Sequence, residues 1–136
     1  MPRETFISHA SPDRAFVERL VAMLRRHGVP FWYSDINIQG GQQWHDEIGA
    51  ALGRCDWVVM VLSPAAVRSR WVKSELLYSL RQYRLDQRIV PLLLQDCPYD
   101  DLSWTLGAMQ MVDFRSDFDA GCRDLLRIWG IGYRGA

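Results

Sequence analysis

The chain has 136 residues, 49% hydrophobic and 24% charged, which suits one globular domain with its own core and excludes a disordered or coiled-coil chain. Its 16 basic residues balance 16 acidic ones, which excludes the global positive field of a non-specific nucleic-acid binder. The cluster Arg25, Arg26 and His27 reads as a solvated helix end. Cys55, Cys97 and Cys122 are odd in number, far apart and in no CxxC pattern, so reduced thiols and a cytoplasmic home are expected. Met1 to Ser8 lacks the layout of a secretory signal, and no apolar run approaches the roughly 20 residues of a membrane-spanning helix. A single domain over 1–136 with no membrane contact is the expectation, either by itself or as a module of a longer protein.

Taken in chain order, Thr5 to Ser8 is a short strand, and Ser11-Pro12-Asp13 is helix-start chemistry: a hydroxyl cap, a proline at the first position and an acid in the first turn. The helix that follows runs to about His27. Its stripe is Phe16, Leu20 and Leu24, flanked by Val17 and Val21, and Gly28 stops it. Val29 to Tyr33 is the second strand. Ser34 to Gln43 is a polar connection containing Gly40-Gly41, longer than the usual two to six residues between strand and helix, a length associated with function. Trp44, Ile48 and Leu52 mark a short helix, and Trp57 to Leu62 is an unbroken apolar run of central-strand type.

Ser63-Pro64 caps a brief turn or helix. From about Arg70 a long helix is expected to bury Val72, Leu76, Leu80 and Tyr83, with Ile89 to Leu94 as the fourth strand. Cys97 to Gly107 is irregular with one helical turn. Met109 to Phe114 reads as the fifth strand, and Ser116 with Asp119 as a capping-box-like start for a last helix whose inward face is Phe118, Cys122, Leu125 and Trp129. Five strands alternating with helices predict an α/β fold, a flavodoxin-like doubly wound parallel sheet of order 2-1-3-4-5 with helices on both faces.

In such sheets ligands bind beyond the carboxyl ends of the strands, at the switch between the first and third. That edge receives Ser8, His9 and Ala10 from the first strand, Ser34 and Asp35 from the second and Ser63 from the third. The following helix brings Trp71 and Glu75 to the same rim, because residues four apart share a helix face. The chain has no GxGxxG after the first strand, no GxxxxGK[ST] and no GxSxG, which removes dinucleotide dehydrogenases, P-loop NTPases and α/β-hydrolases. A phospho-acceptor receiver is disfavoured as well, since it needs clustered acids after the first strand and an aspartate ending the third. His9, His27 and His45 have no metal-ligand spacing with the cysteines, so a metal-free site is expected.

A lone carboxylate beside an aromatic ring suits the breaking of an N-glycosidic bond. Positive charge builds on the ribose in that step, and a fixed carboxylate stabilises it or accepts hydrogen bonds from the ribose hydroxyls. The ring offers a stacking plane for a base. One carboxylate is enough when the leaving group is already cationic, as nicotinamide is in NAD+. Read from spacing alone, Glu75 is first a solvated helix carboxylate paired with Arg81 or Lys73, Trp71 either packs the helix onto the sheet or lines a pocket, and Trp44 is a core or staple residue.

Three segments resemble the Toll/interleukin-1 receptor (TIR) domain in its bacterial form: the opening TFISHASPD, the stretch FWYSDINIQGGQQWHDEI, and VVMVLSPAAVRSRWVKSEL with its WxxxE segment. The resemblance covers most of the chain. It implies that Glu75 is the catalytic residue of an NAD+ glycohydrolase or ADP-ribosyl cyclase, with Trp71 as the family tryptophan. It places His9 and Ala10, after Ser8, in the substrate pocket, Asp35 at the acidic position after the second strand, and Trp44 as the aromatic residue after the loop. Where some members carry arginines after the first strand, this chain has Ala10 and Ser11. NAD+ is then substrate and no cofactor is needed. The resemblance also implies a homo-oligomeric TIR–TIR assembly, a fused or separate sensor domain and a role in bacterial antiphage defence. Two alternatives remain open: a non-catalytic TIR–TIR scaffold using the Ser34 to Gln43 loop, and a deoxyribosyltransferase-like enzyme acting on a nucleoside.

Overall fold

The computed structural model describes residues 1–34 and 42–135, with side chains in the second segment from 46 onward. Strands β1 (Thr5–Ser8), β2 (Phe31–Tyr33), β3 (Trp57–Leu62), β4 (Ile89–Leu93) and β5 (Val112–Asp113) form one parallel sheet in the order β2-β1-β3-β4-β5. This is the flavodoxin-like order expected from the alternation of elements. Thr5 lies beside Phe31 on one flank and Trp57 on the other, and Ser8 lies beside Met60, so β1 ends in the middle of the sheet. Helices α1 (Arg14–Arg26), α2 (Gln42–Arg54), α3 (Pro64–Arg68), α4 (Arg70–Leu80) and α5 (Phe118–Ile128) complete the fold.

Strand pleating divides the interior in two, since alternate side chains point to opposite faces. Phe6, Met60 and Leu62 pack with Ile48 and Leu52 of α2 and Val72 and Leu76 of α4. Ile7, Val59 and Val61 pack with Val17, Leu20 and Leu24 of α1 and Leu125 and Leu126 of α5. Both faces of β3 and β4 are therefore covered, which is why these strands are apolar without alternation. Pro91 sits within β4 where β5 has not yet begun to pair, since β5 meets only Leu92 and Leu93; a strand edge tolerates a residue lacking an amide N–H.

Local chemistry accounts for the element ends. Gly28 takes φ +71°, the left-handed value that stops α1. The Arg84 guanidinium donates to the Leu52 and Cys55 carbonyls, both at 2.5 Å, and so closes the end of α2. Gly121 of α5 leaves room for the Phe114 ring, which a Cβ at that position would meet at 2.5 Å.

Several expected boundaries differ. Ser11 caps nothing: Ser11–Asp13 is a 3-10 turn that begins after Ala10, and α1 starts only at Arg14. Asp117 rather than Ser116 caps α5, accepting the Asp119 amide at 3.0 Å. The second strand begins at Phe31 rather than Val29, and the fifth is two residues rather than Met109 to Phe114, because β5 is an outer strand with one neighbour. Helix α4 ends at Leu80, so the apolar stripe does not continue: Leu80 is 37% and Tyr83 94% exposed. Among the described residues no helix is long and apolar enough to cross a membrane.

Candidate functional site

The end of β1 and the middle of α4 meet on one side of the sheet. Ser8 follows Phe6 by two residues and therefore shares its face, the one covered by α4. On α4, Ser69 caps the helix by accepting the Val72 amide at 3.2 Å, and Val72, Leu76 and Ser79 form its buried stripe. Glu75 lies beside that stripe, one turn beyond Val72, and is turned inward towards β1. The Ser8 hydroxyl donates to Glu75 Oε1 at 2.5 Å. Glu75 thus pairs with neither Arg81 nor Lys73, the local partners that spacing alone offers.

The charge state of Glu75 follows from this placement. Its surface is partly accessible, yet protein atoms crowd the carboxyl group, and the crowding controls the cost of ionisation. Burial pushes its pKa up to about 7, against a smaller downward pull from the Ser8 hydrogen bond. A carboxylic acid poised near neutrality at the carboxyl edge of a parallel sheet is the combination expected of a reacting group. One turn further along the helix the Ser79 hydroxyl donates to the Glu75 carbonyl at 2.8 Å.

The other expected residues have different standing. His9 is partly buried, and burial lowers its pKa against the opposing charge of Asp13, which favours the neutral imidazole. Its ring lies 6.1 Å from that of Tyr33. Ala10 is 6% exposed and belongs to the core under α2 and α4. Trp71 stands one turn before Glu75 on α4 and is 42% exposed. Asp35 and the side chain of Trp44 lie outside the described residues.

Sequence reasoning missed one buried pair at the same edge: the Ser63 hydroxyl donates to Asp13 Oδ2, with Asp13 7% and Ser63 1% exposed. Locally, Asp13 reads as a first-turn acid and Ser63 as a cap. No local signal announces a contact across 50 positions. Among the described residues no group of three or more histidines, cysteines and acids is placed to hold a metal. Two surface cavities of 430 and 540 Å³ share Leu80, Gln87 and Ile89 and lie where β4 begins. Neither is lined by Ser8 or Glu75, and the rule that ligands of such sheets sit beyond the strand carboxyl ends favours the Glu75 edge over these hollows.

The TIR domain family model matches residues 5–126. The chain belongs to the TIR domain family. This TIR domain is 32% identical over 72 residues to the 2' cyclic ADP-D-ribose synthase BtTIR of Bacteroides thetaiotaomicron, a match covering 52% of this chain and 25% of that protein. It is 33% identical over 72 residues to the NAD(+) hydrolase TcpC of Escherichia coli, covering 52% of this chain and 24% of the relative. The aligned stretch thus spans about a quarter of each relative's length. Among solved structures, the TIR domain of the Toll-related receptor TRR-2 from Hydra magnipapillata superposes with a TM-score of 0.73 at 21% identity, covering 93% of this chain and 94% of that one. At that identity the likeness concerns the fold.

Proposed function

We propose that this TIR domain cleaves the nicotinamide N-glycosidic bond of NAD+, with Glu75 as the catalytic carboxylate. The observation that carries the reading is the Ser8–Glu75 pair: a carboxylate held at the carboxyl edge of the sheet, with a pKa of about 7 set by burial. In the reaction the bond between the ribose C1' and the nicotinamide nitrogen breaks, its electron pair leaves with the ring, and nicotinamide departs neutral. The ribose left behind is an oxocarbenium cation, and an ionised carboxylate beside it lowers the barrier. Water at C1' yields ADP-ribose, whereas attack by a hydroxyl of the substrate itself yields a cyclic product. The NAD(+) hydrolase TcpC and the 2' cyclic ADP-D-ribose synthase BtTIR correspond by name to these two outcomes.

Trp71 is proposed as an aromatic wall, and His9, Ala10, Asp35 and Trp44 as the remaining pocket residues. His9 is proposed to offer its imidazole N–H to the NAD+ pyrophosphate. Turnover is proposed to depend on TIR–TIR assembly, as a defence module that depletes NAD+ on demand would require. A second reading, assembly without turnover, draws on the apolar side chains that α4 leaves in solvent, Leu77 at 44% and Leu80 at 37% exposure. Nicotinamide release from the concentrated domain, measured with and without Glu75→Ala, separates the two. Release lost in the variant supports the enzyme. No release under assembled conditions leaves the scaffold, and release that survives the substitution removes Glu75 from its role.

A further inference from the structure

Asp13 immediately precedes α1, the position at which an aspartate ordinarily accepts a hydrogen bond from the first helical turn. Its carboxylate makes no such bond. It accepts instead from the Ser63 hydroxyl, and Ser63 Oγ accepts in turn from the Ala66 amide at 3.1 Å. Carboxylate, hydroxyl and amide thus form a buried relay from the start of α1 to the start of α3. A helix that forgoes its own cap for a contact 50 positions away is spending that side chain on tertiary geometry.

The segments joined are the ones that build the site. One runs from Ser8 to Asp13 and is folded back by the Asp13 amide donating to the Ala10 carbonyl at 2.9 Å. The other runs from Ser63 to Glu75 and is bonded internally at short intervals, Val67 to Ser63 at 3.1 Å, Ser69 to Ala66 at 3.0 Å and Lys73 to Ser69 at 3.2 Å. Two side-chain hydrogen bonds tie them together, Ser8 to Glu75 at one end and Ser63 to Asp13 at the other. The two ties and the two segments close a ring of main chain and side chain.

We infer that Asp13 is a positioning residue: through Ser63 it holds the α3–α4 segment against the end of β1 and so sets the Ser8–Glu75 hydrogen bond. Its consequence for catalysis rests on the reading of Glu75 given above; the geometric coupling does not. Burial and the Ser8 bond are the influences on the Glu75 proton, and the charge of Asp13 is not among them. A change in Glu75 titration on altering Asp13 therefore reports a displaced carboxylate, not a lost field.

The test is the Glu75 titration curve, followed by carbon-13 NMR of the side-chain carboxyl in the NAD+-free domain for the wild type, Asp13→Ala, Asp13→Asn and Ser63→Ala. Opening the ring admits water to Glu75, so Asp13→Ala and Ser63→Ala lower its midpoint by at least about one pH unit. Asp13→Asn keeps an oxygen that accepts from Ser63 and holds the midpoint at its wild-type value. Folded Asp13→Ala or Ser63→Ala protein with an unchanged midpoint overturns the inference. Loss of fold in both, with Asp13→Asn intact, assigns the pair to stability alone and overturns it too. No NAD+ turnover enters the measurement, so failure of the enzymatic reading and failure of this one are separately visible.

Discussion

Ser8 closes β1 and Glu75 sits 67 positions later on α4, yet a hydrogen bond of 2.5 Å joins the hydroxyl of the first to the carboxylate of the second. Two opposing influences act on that one carboxylate. Burial raises its pKa and the donated hydrogen bond lowers it, and burial prevails. The domain therefore holds an acid that is half ionised near neutral pH at the edge where a substrate would arrive.

Replacing Glu75 by Gln removes the charge and keeps the shape. Nicotinamide release is expected to fall by at least about 100-fold, the scale of losing one preorganised charge-stabilising group. Stability should move the other way. The folded pKa of about 7 lies above the ordinary 4.5, so the wild-type stability attached to this group is full below pH 4.5 and is lost as pH rises through 7. Urea unfolding at pH 5 and pH 8 should show Glu75→Gln gaining on the wild type by on the order of 2 kcal/mol between the two, a figure reduced for the partial exposure of the side chain.

The ionised form of Glu75 is the one that stabilises a cation, so kcat/KM for NAD+ should rise with pH and level off above about 7. The cationic nicotinamide ring of bound substrate favours ionisation, so the midpoint in kcat should lie below that in kcat/KM. Steady-state rates from pH 5 to 9 check both. A profile that falls through 7 would mean that Glu75 works as an acid instead.

Ser8→Ala takes away the hydrogen bond and leaves the burial. The Glu75 midpoint should climb above its wild-type value, the opposite of the fall expected when Asp13 or Ser63 is truncated. Turnover at pH 7 should drop roughly 10-fold and stability by about 1 kcal/mol. The same NMR titration and a thermal melt provide the readouts.

Gly121→Ala forces a Cβ to within 2.5 Å of the Phe114 ring in the core between α5 and the sheet. Overpacking of this kind should destabilise the domain by about 1 to 3 kcal/mol in chemical unfolding. The Glu75 titration should stay where it is, because α5 packs on the opposite face of the sheet from α4.

Much of the fold was legible because its signals are local. The unbroken apolar run from Trp57 to Leu62, the stop at Gly28 and the hydroxyl-proline start at Ser63-Pro64 each specify an element without reference to the rest. The same local reading erred where a pattern was extended past its support. Leu80 and Tyr83 keep helical spacing with Leu76, but the helix ends and nothing covers them fully. Ser116 fits a capping box, yet the neighbouring Asp117 has the backbone geometry of the cap. Of the candidate site residues, Glu75 is visible in the WxxxE segment and Ser8 at the end of the first strand; the bond between them is not, since on a helix surface Lys73 and Arg81 are the nearer charges.

The sequence by itself determined the alternation of strands and helices, hence the strand order, because periodicity, caps and stops act over a few residues and right-handed crossovers leave few ways to arrange the result. Only the tertiary structure decided which polar groups meet. Ser8 with Glu75 and Asp13 with Ser63 are joined across 67 and 50 positions by crossover connections whose end points no local rule predicts. The shifted acid at the site, and the relay beside it, exist only once the sheet has brought the ends of β1 and β3 side by side.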